Sequence, residues 1–85
     1  MVVKVVMPQF YETMQAGKII VWLKKEGEKV EKGKPIVEVE TEKVAVEIEA
    51  PENGVLAKVL VKEGADIPIL QPIAIITMPG EESLD

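Results

Sequence analysis

The 85-residue sequence has no cysteine, no histidine and no arginine, and its one serine is Ser83, near the C-terminus. Without cysteine there is no disulfide, no thiolate nucleophile and no zinc–thiolate site. Without histidine and arginine, a hydrolase triad, a His-ligated metal and a bidentate phosphate clamp cannot be assembled. Carboxylates are plentiful, but surface Glu is common and reads first as a solvated face. No apolar run approaches the ~20 residues a membrane-spanning helix needs, and Met1-Val2-Val3-Lys4 lacks the layout of a signal peptide. A net charge of −5 argues against a nucleic-acid footprint. The expectation is a chain with no catalytic residue and no metal site of its own, not an enzyme by itself, engaging neither nucleic acid nor membrane.

What remains is rich in Val and Ile. Apolar residues make up 47% and aromatics 4%, a balance that favours short strands. A chain of this length forms one small domain, burying roughly 60–65% of its unfolded surface. The clearest pattern flanks Glu40-Thr41-Glu42-Lys43-Val44. Ile36 to Thr41 places Val37, Val39 and Thr41 on one side, with Ile36, Glu38 and Glu40 on the other. Val44 to Glu49 places Val44, Val46 and Ile48 against Ala45, Glu47 and Glu49. Period-two alternation marks half-buried strands. Facing both valine sets to one core pairs Val39 with Val46 and Val37 with Ile48, and leaves Glu42-Lys43 as a two-residue connection. A one-residue slip would turn one strand's apolar set to water, so this register is well specified. The connection itself is unusual. Tight hairpins favour Asn-Gly or Gly-X because primed turns need positive φ, and Glu-Lys offers neither. A lone lysine at a turn is most often only a solvated tip. A broken local rule, however, can mark function.

The rest of the chain reads as strands and turns. Val2 to Met7 is a strand with Val3, Val5 and Met7 inward, ended by Pro8. Gln9 to Gly17 is a loop with Phe10, Tyr11 and Met14, which either form a contact surface or cap the barrel mouth. Lys18 to Lys25 is a strand with Ile20 and Trp22 inward, the tryptophan as core rather than as a stacking platform. A charged turn region holds a short extended piece around Val30. Ala50 to Gly54 is a turn with the Asn-Gly signal. Val55 to Lys62 is a strand with Ala57, Val59 and Val61 inward, followed by Ile67 to Leu70 and by Ile73 to Met78. The domain spans residues 1–79, and residues 80–85 read as an acidic tail or the start of a linker.

The chain also repeats itself. Gly17 and Gly54 are 37 positions apart, and the same offset relates Lys25-Glu26-Gly27 to Lys62-Glu63-Gly64, Val30 to Ile67, Pro35 to Pro72 and Ile36 to Ile73. Two similar halves imply a pseudo-two-fold sandwich of two small antiparallel sheets. The offset carries Lys43 onto Gly80, where the second half stops pairing onward and Val2–Met7 supplies the partner strand instead. The lysine tip and the chain ends are thereby expected at opposite poles, as in a tethered carrier.

Four segments carry a family resemblance. Met7-Pro8-Gln9-Phe10-Tyr11-Glu12-Thr13-Met14, Trp22 to Gly27, Glu40 to Val44 and Glu49 to Leu56 resemble, in order and spacing, a lipoyl domain. Such domains belong to the dihydrolipoamide acyltransferase (E2) of 2-oxo acid dehydrogenase complexes. The likeness runs from about Val2 to Met78. It implies an all-β flattened barrel of two four-stranded antiparallel sheets, with lipoic acid in amide linkage on Lys43. It further implies that the lipoamide accepts an acyl group from the thiamin-diphosphate-dependent decarboxylase (E1). The group passes to coenzyme A at the E2 catalytic core, and dihydrolipoamide dehydrogenase (E3) reoxidises the dithiol. A lipoate-protein ligase would read the tip residues Glu40, Thr41, Glu42, Val44 and Ala45, and the partner-recognition loop would be Phe10, Tyr11, Glu12, Thr13 and Met14.

Lysine suits that chemistry, with a long stem and an amine that forms a stable amide. Acylation removes its charge and leaves Glu38, Glu40, Glu42, Glu47 and Glu49 as a negative patch for steering. The sequence departs from the family where Glu42 replaces a usual Asp, Val44 a usual Ala and Tyr11 a usual Gly. A biotin carboxyl carrier domain shares the architecture but has methionines on both sides of its lysine. A glycine-cleavage H protein is longer, and an unmodified interaction module would need no lysine. The expected compartment is a bacterial or archaeal cytoplasm, with a mitochondrial matrix as the alternative, and the isolated domain is expected to be monomeric.

Overall fold

The computed structural model describes residues 2–78. The expected domain end at residue 79 and the acidic stretch 80–85 lie outside the described residues. Eight strands follow one another: β1 (Val2–Val6), β2 (Ala16–Trp22), β3 (Lys29–Val30), β4 (Pro35–Glu40), β5 (Ala45–Glu49), β6 (Gly54–Val59), β7 (Asp66–Pro68) and β8 (Pro72–Thr77). They form two four-stranded sheets, ordered β1-β8-β6-β3 and β5-β4-β2-β7, with every strand pair antiparallel. This is the two-sheet, all-β fold expected from the sequence.

The β4–β5 hairpin takes the register that its alternation demands. Val39 opposes Val46, Val37 opposes Ile48 and Glu38 opposes Glu47. Val37 and Val39 are fully buried, and Ile48 nearly so. They join Met7, Ile19, Leu56, Ile73 and Ile76 in a single core between the sheets.

The 37-residue repeat is a physical symmetry. The Ile19 N–H donates to the Ala65 carbonyl, and its counterpart Leu56 donates to the Glu28 carbonyl. Leu23 donates to Ile36, and Leu60 to Ile73. The Trp22 N–H donates to the Glu63 carboxylate at 2.9 Å, and Val59, the equivalent of Trp22, donates to Glu26 at 2.7 Å. Each half thus lends a carboxylate to the amide that ends the other half's long strand, a charge-assisted bond. Gly27 and Gly64 both hold positive φ, 94° and 90°, in the turns that present those carboxylates.

The same device explains where the expected strands were too long. The second strand stops at Trp22 and not Lys25, and the sixth at Val59 and not Lys62. At Trp22 and Val59 the backbone donor meets a carboxylate; one further ladder bond follows on the other side, from Leu23 and from Leu60, before the chain turns.

Core-facing positions also differ from the simple alternation. Ile20, expected inward, is 39% exposed, whereas Ile19 is fully buried. Leu56 is fully buried, whereas Ala57, Val59 and Val61, expected inward, are only half-buried. Ile36, assigned to the outer face, is fully buried beside Val37. The cause is a register shift in each pairing: between Ile19 and Val21, between Leu56 and Lys58, and between Pro35 and Val37. A bulge inserts one residue and flips the parity of the positions around it. Trp22 lies half-buried against the core and its indole N–H donates to the Val61 carbonyl at 3.1 Å, a structural role as expected.

The symmetry orients the molecule. The pair Glu40–Ala45 that closes the hairpin has Thr77–Val2 as its counterpart in the other sheet. The long strands β2 and β6 meet near Trp22 and Val59 and run away from each other. Ala16 and the hairpin tip therefore lie at one pole, with Gly54, Thr77 and Val2 at the other.

Candidate functional site

The tip is organised by one hydroxyl. Thr41 Oγ1 accepts hydrogen bonds from the Lys43 and Val44 amides, at 3.2 and 3.1 Å, and donates to the Val44 carbonyl at 2.9 Å. The Thr41 N–H also donates to the Val44 carbonyl, at 2.8 Å. Neither Glu42 nor Lys43 is among the residues with positive φ. The turn is thus not the primed turn against which Glu-Lys looked anomalous. A threonine side chain substitutes for the missing turn chemistry, and the tip carries no broken rule. The sequence signal was available: a Thr at the first position of a four-residue turn.

Glu42, Lys43, Val44 and Ala45 are exposed. Lys43 extends its ammonium over the Tyr11 ring, 4.8 Å from the centroid, a cation–π contact worth about 0.5–1 kcal/mol at such an exposed place. This brings the tip and the 8–15 loop, two segments singled out separately in the sequence, into one site. The loop is well tied. The Gln9 side-chain amide donates to the Glu12 carbonyl at 2.8 Å, and the Phe10 amide points at the Met14 sulfur, 3.2 Å away. Met14 is 2% exposed and so anchors the loop from within. Of the expected contact residues it is the one not offered to a partner, while Phe10, Glu12 and Thr13 face solvent and Tyr11 is half-buried.

Between loop and hairpin runs an open trough of about 530 Å³, lined by Tyr11, Thr13, Gln15, Ala16, Lys18, Glu40, Thr41, Glu42 and Asp66. The acidic patch is less uniform than the sequence implied. Glu38 opposes Glu47 directly, a like-charge pair, but Glu40 has Lys18 opposite it on β2. Among the described residues no cluster of three or more carboxylates could hold a metal ion, and no helix is long and apolar enough to cross a membrane.

The lone exposed lysine on a stapled turn can do one thing well: present a primary amine, or a group attached to it, to solvent. A family profile described as "Biotin-requiring enzyme" (biotin/lipoyl) matches residues 3–76. The solution structure of the lipoyl domain of the 2-oxoglutarate dehydrogenase complex from Azotobacter vinelandii superposes with a TM-score of 0.75 at 32% identity. The match covers 92% of this chain and 99% of that one. The chain belongs to the lipoyl domains of the biotin/lipoyl family. As a lipoyl domain it is a carrier and not itself a catalyst, and the family bears its prosthetic group covalently.

Among curated relatives, an acetyltransferase component of the pyruvate dehydrogenase complex from Rickettsia conorii is 41% identical over the whole chain, which covers 21% of that protein. The acetyltransferase component of an acetoin cleaving system from Bacillus subtilis is 48% identical over 80% of the chain and 17% of its own length. The lipoyl domain thus spans about a fifth of the length of the curated relatives it matches.

Proposed function

We propose that Lys43 is the attachment point and that the group is lipoic acid in amide linkage. The observation that carries this is the exposed lysine at the tip of a turn stapled by Thr41, at the pole opposite the Val2–Thr77 pair. A group that visits several active sites needs reach and no enclosing wall. The site fits: the trough is open, and the amine stands outside the core. When bound, lipoamide supplies a dithiolane that takes up an acyl group as it is reduced and yields it to coenzyme A.

The chain's own residues do the rest. Thr41 fixes the turn so that the lysine stem points outward. Tyr11 holds the ammonium until amide formation removes the charge. Glu42 at the tip, with the opposed pair Glu38 and Glu47 farther along the hairpin, gives this end a negative field. The proposed partners are a 2-oxo acid decarboxylase (E1), the E2 catalytic core, dihydrolipoamide dehydrogenase (E3) and a lipoate-protein ligase. The relatives' membership in 2-oxo acid and acetoin systems supports lipoate over biotin, as do Glu42 and Val44 flanking the lysine. The domain works as a monomer on its own, within a longer acyltransferase, in a bacterial or archaeal cytoplasm.

Intact-mass spectrometry with purified ligases tests this. Lipoate-protein ligase should add a lipoyl increment that is absent from Lys43→Gln. A biotin increment, or none, would overturn the reading. Lipoylated domain offered to pyruvate-, 2-oxoglutarate- and branched-chain-specific E1 enzymes then identifies the acyl donor.

A further inference from the structure

Among the described residues Leu70 is the one non-glycine residue at positive φ, 71°. Its counterpart 37 positions earlier is Gly33, at φ 86°. The fold therefore calls for a left-handed residue at this turn in both halves. One half supplies glycine, which adopts that conformation freely; the other supplies leucine, which is strained there. Leucine gains nothing from the interior in return. It is 69% exposed, the most exposed of the large apolar side chains among the described residues. Strain combined with solvation is expected where contact with something outside the chain compensates.

The position of Leu70 says what that something acts on. The Leu70 N–H donates to the Met7 carbonyl at 2.7 Å, and the Ile69 N–H to the Gln15 carbonyl at 3.0 Å. The turn is clasped to both ends of the loop that carries Phe10, itself 38% exposed, and Tyr11, on which Lys43 rests. Exposed carboxylates outnumber lysines around this end: Glu12, Glu40, Glu42 and Asp66 stand against Lys18, which faces Glu40 and Asp66, and Lys43, whose charge lipoylation removes. Gly33 faces the other pole, so only the lysine end bears the leucine. The tip is internally complete, with its geometry set within residues 41–44. An enzyme reading only the tip has no use for a side chain on β7–β8.

We infer that Leu70 is a specificity-determining contact: with Phe10 it anchors the lysine pole in an apolar pocket, rimmed by Lys or Arg, on the decarboxylase that loads the acyl group. The inference rests on the lipoyl-carrier reading above.

The test lipoylates wild type, Leu70→Gly and Leu70→Met with lipoate-protein ligase. Each is then offered to whichever of the three E1 enzymes acylates the wild type. L70G removes strain and side chain together. Its Tm should rise, while kcat/KM for acylation falls about 5- to 30-fold, mainly through KM, the range of one lost apolar anchor. L70M keeps an apolar side chain and should stay within about two-fold of wild type. A raised Tm with acylation unchanged in L70G would overturn the inference, as would a lowered Tm. So would a defect confined to the ligase step, or a concentration-dependent dimer that L70G dissolves. Failure of all three proteins to take up lipoate would instead sink the carrier reading, and this inference with it.

Discussion

Gly17 and Gly54 are symmetry counterparts, yet a methyl group placed on each meets different obstacles. At Gly54 the added carbon runs into the backbone carbonyl oxygen of Thr77 and comes within 2.8 Å of Ile76 Cγ2. The carbonyl belongs to β8, a central strand paired on both sides, and cannot retreat without breaking ladder bonds. At Gly17 the obstacles are Val39 Cγ1 at 2.6 Å and Met7 Sδ at 2.9 Å, both side-chain atoms; the thioether can swing aside, whereas the β-branched valine is stiff at χ1 and yields only by a small shift. Overpacking costs about 1–3 kcal/mol, occasionally more, and Gly→Ala returns about 0.4–1 kcal/mol through the unfolded state. We therefore expect Gly54→Ala to cost about 3 kcal/mol and Gly17→Ala about 1 kcal/mol, because side-chain obstacles relax more than a ladder carbonyl does. For a domain of this size that is a Tm drop of roughly 12–24 °C against 4–8 °C. Calorimetry on the unmodified domain reads both. Equal losses, or a larger one at Gly17, would refute the claim that backbone rigidity at β8 decides the difference.

Thr41→Val should lower Tm by roughly 4–8 °C, since the hydrogen bonds it loses are exposed and worth about 1 kcal/mol net. It should also slow lipoylation several-fold, and Thr41→Ser should restore both; unchanged ligase kinetics in the valine variant would show that the turn's geometry does not govern modification. Neutralising Glu38 and Glu47 together (E38Q/E47Q) should raise stability by a few tenths of a kcal/mol, because like charges directly opposite repel. The same change should flatten the salt dependence of acylation by E1. Acylation equally fast and equally salt-insensitive in both proteins would remove steering from the account.

The hairpin was legible because both of its strands keep strict alternation over the residues that pair, so Val37–Ile48 and Val39–Val46 followed from pattern alone. The repeat was legible because an identical Lys-Glu-Gly and a proline share one offset. The bulges were not. Ile19 and Ile20 are adjacent isoleucines, and nothing local says which one the extra residue displaces outward. That choice depends on where Val39 and Glu38 stand across the ladder. The same ambiguity hid Leu56 behind Ala57. Lys43 could be singled out by its surroundings, but its contact with Tyr11 joins residues 32 positions apart, a distance that no spacing rule spans. Met14 looked equally suited to surface or interior until the Phe10 amide was seen to close on its sulfur. Leu70 gave no sign of its strain, because only the backbone of its counterpart Gly33 shows what conformation the turn requires.

The two sheets do not divide the chain at its midpoint. β1 and β3 sit with β8 and β6, and β7 with β2, so the N-terminal half of the polypeptide surrenders two strands to its neighbour's layer and the C-terminal half surrenders one. Cut between Pro51 and Asn53, the chain would yield two fragments, each lacking an edge that only the other can provide. Such fragments would stay unstructured apart and regain order on mixing. The uncut molecule, for the same reason, should melt in a single step, with no half left standing.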